Sequence, residues 1–271
     1  MAAVERKVAF ITGVARGQGR AHAVRQARSG VDIIGVDICA DIDSMDYPNA
    51  TPDDLAETVK LVEAEGARIV ARQADVRNQD QLRAAFEEGY REFGRLDIVL
   101  ANAGIIRLGE GGERRAIWDD VVGTNLTGVW NTTEVTIPAL VDGGRGGSIV
   151  ITSSTAGIKG TGTPLAGGQA YSAAKHGLVG LMQVLALDLA QHSIRVNTIH
   201  PTGVVSGMTQ NESMQRMFEN NDPALSSMQN ALPIPILQAE DIANAVAWLT
   251  SDEAHFITGI SWPLDAGFTV R

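Results

Sequence analysis

The chain alternates short apolar runs with longer stretches in which apolar residues recur every three or four positions. Runs of strand length fall at 7–12, 31–37, 67–73, 97–101, 148–153, 194–200 and 257–262,. Helical spacing fills the intervals at 17–29, 53–65, 79–93, 113–141, 168–191 and 239–250,. The strand runs are nearly continuous rather than alternating, as expected where both faces of a sheet are covered. Their regular alternation with helices predicts an α/β fold: a doubly wound, parallel, seven-stranded sheet with helices on both faces,. Two stretches break the rhythm: 38–52, which is acidic and polar, and 203–236, rich in Met, Asn, Ser and Pro. Interruptions of that length serve as lids or stay disordered. The pattern reads as one domain over 1–271, with an insertion at 38–52 and a lid at 203–236.

Composition narrows the classes. With 271 residues and 44% hydrophobic content, one large core suffices,. A net charge of −10 argues against nucleic acid or an anionic membrane as partner,. Cys39 is the sole cysteine, so no internal disulfide can form and a reducing compartment is the simpler home,. Residues 1–7 lead straight into the first strand without a charged segment followed by a long apolar one, and no stretch is expected to reach membrane-spanning length,. The expectation is a soluble, cytoplasmic protein.

The first strand is followed by Thr12-Gly13-Val14-Ala15-Arg16-Gly17-Gln18-Gly19, which runs into a helix. Glycines at 13, 17 and 19 allow a tight turn, close approach of a pyrophosphate and contact between helix and strand. The helix N-terminus then offers unpaired N–H groups to phosphate. Ordinary loop punctuation is the competing reading, but the place between strand and helix favours a Rossmann-type dinucleotide site. The second strand ends at Asp37, followed by Ile38, about 20 residues beyond the turn, where an acid accepts from the adenosine ribose hydroxyls and repels a 2′-phosphate. That selects NAD over NADP. Arg16 argues weakly the other way, since a cation there could meet a phosphate.

Tyr171 and Lys175 stand four residues apart, one helical turn, and so share a face,. A free phenol has a pKa of about 10 and is a poor base at neutral pH. A nearby ammonium favours the phenolate and brings it towards useful acid–base behaviour. Alone the pair is a weak signal; with the glycine turn it points to hydride transfer.

With these motifs in order, the chain resembles the short-chain dehydrogenase/reductase family over nearly its whole length. The resemblance implies further roles. Asp75 and Val76, after the third strand, match the pair that meets the adenine ring. Asn102-Ala103-Gly104 matches the motif that supports the sheet and borders the cofactor. Asn125 matches the asparagine that holds a water for proton relay, and Ser154 the catalytic serine. Tyr171 and Lys175 complete the tetrad. Pro201 and Gly203 resemble the segment that cups the nicotinamide, with Val204 meeting its carboxamide and Ser206 standing where a threonine is frequent. Tyr171 is then acid and base, Lys175 holds the nicotinamide ribose, and Ser154 holds the substrate oxygen. His22 and His200, without paired ligand spacing, read as structural and no metal is expected,.

Departures from the family pattern carry information. The interval from Ser154 to Tyr171 is longer than is common, its extra length lying in 159–168 beside the expected substrate. The stretch 38–52 is also long and would lie beside the adenosine half of the cofactor. In these respects the chain resembles the carveol-dehydrogenase-like, mycofactocin-associated branch of actinobacterial members. That implies a tightly held NAD re-oxidised in place by a redox carrier, and family resemblance implies a homotetramer. Met208, Met214, Met217 and Met228 put four of the seven methionines in the lid, with Phe218 among them. An adaptable apolar lid of this kind suits a hydrophobic secondary alcohol, with Met208 against the substrate. The competing functions are an NADP-dependent 3-oxoacyl-thioester reductase, against which Asp37 speaks, and a silent dinucleotide-binding regulator, against which Ser154, Tyr171 and Lys175 speak.

Overall fold

A computed structural model describes residues 6–160, 163–220 and 229–271. Its centre is a seven-stranded, all-parallel sheet in the order β3-β2-β1-β4-β5-β6-β7. The strands are β1 (Val8–Thr12), β2 (Asp32–Asp37), β3 (Ile69–Gln73), β4 (Ile98–Ala101), β5 (Gly147–Thr152), β6 (Ile194–Pro201) and β7 (Ser261–Leu264). The order reverses direction between β1 and β4, the crevice where ligands bind in open sheets of this kind.

The two-residue period of the strands sorts the core into two layers. Val8 and Phe10 of β1 face a cluster with Leu82 and Phe86 of α3 (Gln79–Phe93) and Leu178 and Met182 of α6 (Ala166–Leu189). Ala9 and Ile11 face the opposite cluster. It holds Ala23 and Ala27 of α1 (Gly17–Arg28), Val62 of α2 (Pro52–Ala64), and Ile242 and Val246 of the helix Ala239–Thr250. Local signals set the helix ends. Thr51 and Asp54 form a reciprocal cap at α2 with Pro52 at its first position, and Gly94 (φ 71°) closes α3 in the left-handed region,.

The single helix expected over 113–141 is two helices, α4 (Arg114–Val122) and α5 (Gly128–Gly143), joined by a π-helical turn over Gly123–Thr127. Such turns insert one residue into the helical ladder and recur at functional sites. The lid stretch contains α7 (Glu212–Glu219); the helix Ala239–Thr250 is α8. The strand expected at 257–262 forms at Ser261–Leu264, since Ile257 and Thr258 instead serve as hydrogen-bond partners to β6 from an irregular segment. One expectation is corrected outright. Among the described residues, the helical stretch Ala166–His192 is long and apolar enough to cross a membrane by length and composition. In the fold it packs on β6 and α4 and carries buried Lys175.

Candidate active site

A cavity of about 1000 Å³ opens at the carboxyl ends of β1, β2, β4, β5 and β6. One end is built by the glycine turn. Gly13 (φ 70°) would put a Cβ 2.9 Å from the Ala103 Cα, and a Cβ on Gly19 would sit 1.8 Å from the Gly13 carbonyl oxygen, so neither position accepts a side chain. Asn102 closes the turn from β4, its amide donating to the Thr12 carbonyl at 3.1 Å. Asp37 is buried at the tip of β2 and accepts from Ala15 N at 3.0 Å and Cys39 N at 3.2 Å. Burial raises its carboxyl, opposed by these two N–H groups and by the Arg16 guanidinium,. Asp75 pairs with Arg77 at 2.7 Å.

The other end holds the titratable groups. Lys175, 2% exposed, donates from Nζ to the Thr152 carbonyl at 2.7 Å, and Ser153 Oγ donates to the Lys175 carbonyl at 2.9 Å. Lost solvent pulls the ammonium from 10.5 down to about 7,. The ammonium lies 5.5 Å from the Tyr171 ring centroid. The Tyr171 phenol is raised by desolvation, and the Ser154 hydroxyl pulls it back. The expected lowering of the phenol by the ammonium is therefore not what dominates: burial acts on both groups and drives each towards its neutral form.

Ser154 Oγ accepts from Ala156 N at 3.2 Å, which leaves its proton to donate,. Behind it, His200 Nδ1 meets the Ser154 carbonyl at 2.7 Å and His200 Nε2 meets Thr198 Oγ1 at 2.9 Å. Asn125, fully buried in the π turn, accepts from Ile105 N at 3.0 Å and donates to the carbonyls of Ile105 (2.7 Å) and Val121 (2.9 Å). A Cβ on Gly104 would meet the Asn125 amide oxygen at 2.7 Å and the Lys175 ammonium at 3.6 Å, so Gly104 brings these groups together.

The cavity gathers almost every residue singled out in the sequence. Gly13, Arg16, Gly17, Gln18, Asp37, Ile38, Asp75, Val76, Asn102, Ala103 and Gly104 line it, as do Ser154, Tyr171, Lys175, Pro201, Gly203, Val204, Ser206 and Met208. Gly19 and Asn125 lie behind the wall. Of the lid methionines, Met208 and Met214 line the cavity and Met217 is buried outside it. Met228 and the Phe218 side chain lie outside the described residues. Thr163 and Gly168 of the long 159–168 loop reach the cavity, while residues 161–162 lie outside the described part. Sequence reasoning missed Tyr47, Asn49, Thr202 and Asn230, which also line it. Nothing in their polar surroundings marks them. The insertion also does more than flank the adenosine end: Ile42 and Met45 pack in a cluster that Tyr171 joins.

A family model described as enoyl-(acyl carrier protein) reductase matches residues 13–269. An uncharacterized oxidoreductase of Mycobacterium tuberculosis is 54% identical over 266 residues, covering 98% of this chain and 97% of its own length. The (−)-trans-carveol dehydrogenase of Rhodococcus erythropolis is 46% identical over 281 residues, covering both chains fully (100% each). Among solved structures, carveol dehydrogenase from Mycobacterium avium in complex with NAD superposes with a TM-score of 0.92 at 46% identity, covering 99% of both chains.

Proposed function

Because this chain belongs to the short-chain dehydrogenase/reductase family, we propose that it is an NAD-dependent alcohol dehydrogenase interconverting a hydrophobic secondary alcohol and its ketone. The observation that carries the reading is one cavity with a buried acid at the nucleotide end and Ser154, Tyr171 and Lys175 at the other. The residues fit a dinucleotide. Gly13 and Gly19 leave a side-chain-free approach to the start of α1, and Asp37 presents a carboxylate where a 2′-phosphate would be repelled,. NAD supplies the hydride acceptor when bound.

The protein's own part is proton handling and positioning. In oxidation the Tyr171 oxygen takes the alcohol proton, and in reduction the phenol returns it. Ser154 donates to the substrate oxygen as charge shifts there. Once a nucleotide and substrate fill the cavity, Lys175 favours the ionised phenol and holds the nicotinamide ribose. Asn125 keeps Ile105 and Gly104 against the ammonium and, through a water, links Lys175 to solvent. Asp75, Val76, Pro201, Gly203, Val204 and Ser206 border the cofactor. Met208 and Met214 provide an apolar, adaptable wall for a terpenoid-like alcohol such as carveol, in keeping with the named substrate of the Rhodococcus relative,.

Ile42, Tyr47 and Asn49 of the insertion and Met208 and Met214 of the lid stretch line the same cavity, which supports a poorly exchanging NAD re-oxidised in place by a redox carrier of the mycofactocin type. Exposed Trp118, Trp130, Val184 and Leu187 on α4–α6, and Trp248 and Phe256 near β7, offer two apolar faces for a cytoplasmic homotetramer,. The test is Tyr171→Phe assayed with NAD and with NADP on a panel of hydrophobic secondary alcohols. A loss of about 100-fold or more in kcat, with nucleotide binding kept, is expected. Unchanged turnover in the variant would remove Tyr171 from the chemistry, and a preference for NADP would favour the thioester-reductase alternative.

A further inference from the structure

Residues 38–52 form a strap that starts at the nucleotide end and crosses to the Tyr171 end. There Ile42 and Met45 are buried with Ile105, Val121, Ala166 and Ala170, and Tyr171 packs against this cluster. Three consecutive residues then fasten the strap to three different walls. Asp46 Oδ2 accepts from Gly109 N at 2.7 Å and from Ser213 Oγ at 2.7 Å, joining the strap to the loop after β4 and to α7. The Tyr47 hydroxyl accepts from Ile106 N at 3.2 Å. The Pro48 carbonyl accepts from the Arg16 guanidinium at 2.9 Å, joining the strap to the glycine turn.

Of the three, Tyr47 keeps unused chemistry. Its side chain is 8% exposed and lines the cavity. The contact with Ile106 occupies a lone pair on the oxygen; among the described residues the hydroxyl proton meets no acceptor,. A buried donor left without an acceptor costs free energy, so a bound molecule that supplies one is favoured. Loss of solvent pushes this phenol up to about 12, so it is a proton donor at neutral pH and not a base,. Ile106 sits two residues beyond Gly104, whose space borders the Lys175 ammonium, which puts Tyr47 beside the reacting end.

We propose that Tyr47 is a second phenol of the active site, donating a hydrogen bond to an oxygen of the bound cofactor–alcohol pair. This rests on the reading of the cavity given above. Tyr47→Phe keeps the ring and its packing but also frees Ile106 N, so its melting temperature should fall by no more than a few degrees, a change shared by both readouts below,. Two readouts separate the sources of the oxygen: NAD affinity of nucleotide-free protein by titration calorimetry, and kcat/KM for carveol with NAD saturating.

Removing one neutral hydrogen bond should cost about three- to tenfold in one of them. A loss confined to NAD affinity assigns a cofactor oxygen, and a loss confined to kcat/KM assigns the alcohol oxygen. The pH profile of kcat should keep its shape in either case, because Tyr47 does not titrate in the working range. Neither readout changing by more than about twofold, within the scatter of such measurements, overturns the proposal. A wild-type protein that binds NAD but oxidises no alcohol would sink the functional reading, and the calorimetric comparison would still decide on Tyr47.

Discussion

Lys175→Met should make the protein more stable and almost inactive, and the gain should depend on pH. The lysine is 2% exposed, and burial pulls its ammonium from 10.5 down to about 7. Below about pH 7 the group is charged in both folded and unfolded chains, and the full burial penalty is present,. Between about 7 and 10.5 the unfolded chain holds a proton that the folded one has released, so stability rises with pH across this window,. Above 10.5 both forms are neutral and the penalty is gone. Tyr171, raised above its ordinary 10, opposes the trend only beyond that value.

At about 1.4 kcal/mol per pH unit, the interval corresponds to a penalty on the order of 5 kcal/mol,. Methionine also gives up the 2.7 Å bond to the Thr152 carbonyl. That loss offsets about 1–3 kcal/mol, because a buried acceptor stays behind. The net gain at about pH 6 should therefore be roughly 2–4 kcal/mol, shrinking to nothing or reversing by about pH 10. Urea unfolding of nucleotide-free wild type and variant, followed by circular dichroism at both pH values, measures it. A variant less stable at the lower pH, or a gain that ignores pH, would refute the argument that burial dominates at Lys175.

Two further outcomes follow from the same electrostatics. Asp37→Ser removes the carboxylate that, on the proposed reading, repels a 2′-phosphate, so NADP use should rise relative to NAD by about tenfold or more, read from the ratio of kcat/KM values. The same change frees Ala15 N and Cys39 N, so NAD affinity should also fall. His22 is buried on α1, its Nδ1 without a hydrogen-bond partner among the described residues, and burial lowers it from 6.5 to about 4. Its neutral form is stable above 6.5, and stability drains as pH falls towards about 4,. That drain amounts to roughly 3 kcal/mol, and His22→Leu should abolish it in unfolding curves compared at about pH 7 and about pH 4.

What the chain discloses by itself follows from how each feature is encoded. The strands are legible because both their faces are buried, so Val and Ile crowd into Val8–Thr12, Asp32–Asp37 and Ile194–Pro201. The glycine turn is legible because Gly19 has no alternative with a Cβ. The break at Gly123–Thr127 is not legible: a π turn keeps helical spacing on either side and only slips the register by a residue,. Tyr47 is invisible for a different reason. It sits in an irregular acidic stretch, and its importance comes from meeting Ile106 across the cavity, a contact that no periodicity announces. The direction of the Tyr171 and Lys175 shifts likewise depends on desolvation, which spacing cannot reveal.

On the proposed function, one cavity brings NAD and a hydrophobic secondary alcohol together at Tyr171. The most direct measurement is the absorbance and fluorescence of the purified protein before and after carveol is added without external NAD. A reduced-nicotinamide signal close to one per chain, surviving desalting, is expected and also supports the captive cofactor. A signal that needs added NAD keeps the dehydrogenase and removes the captive cofactor. No reduced nicotinamide under either condition, across a panel of hydrophobic secondary alcohols, would contradict the account.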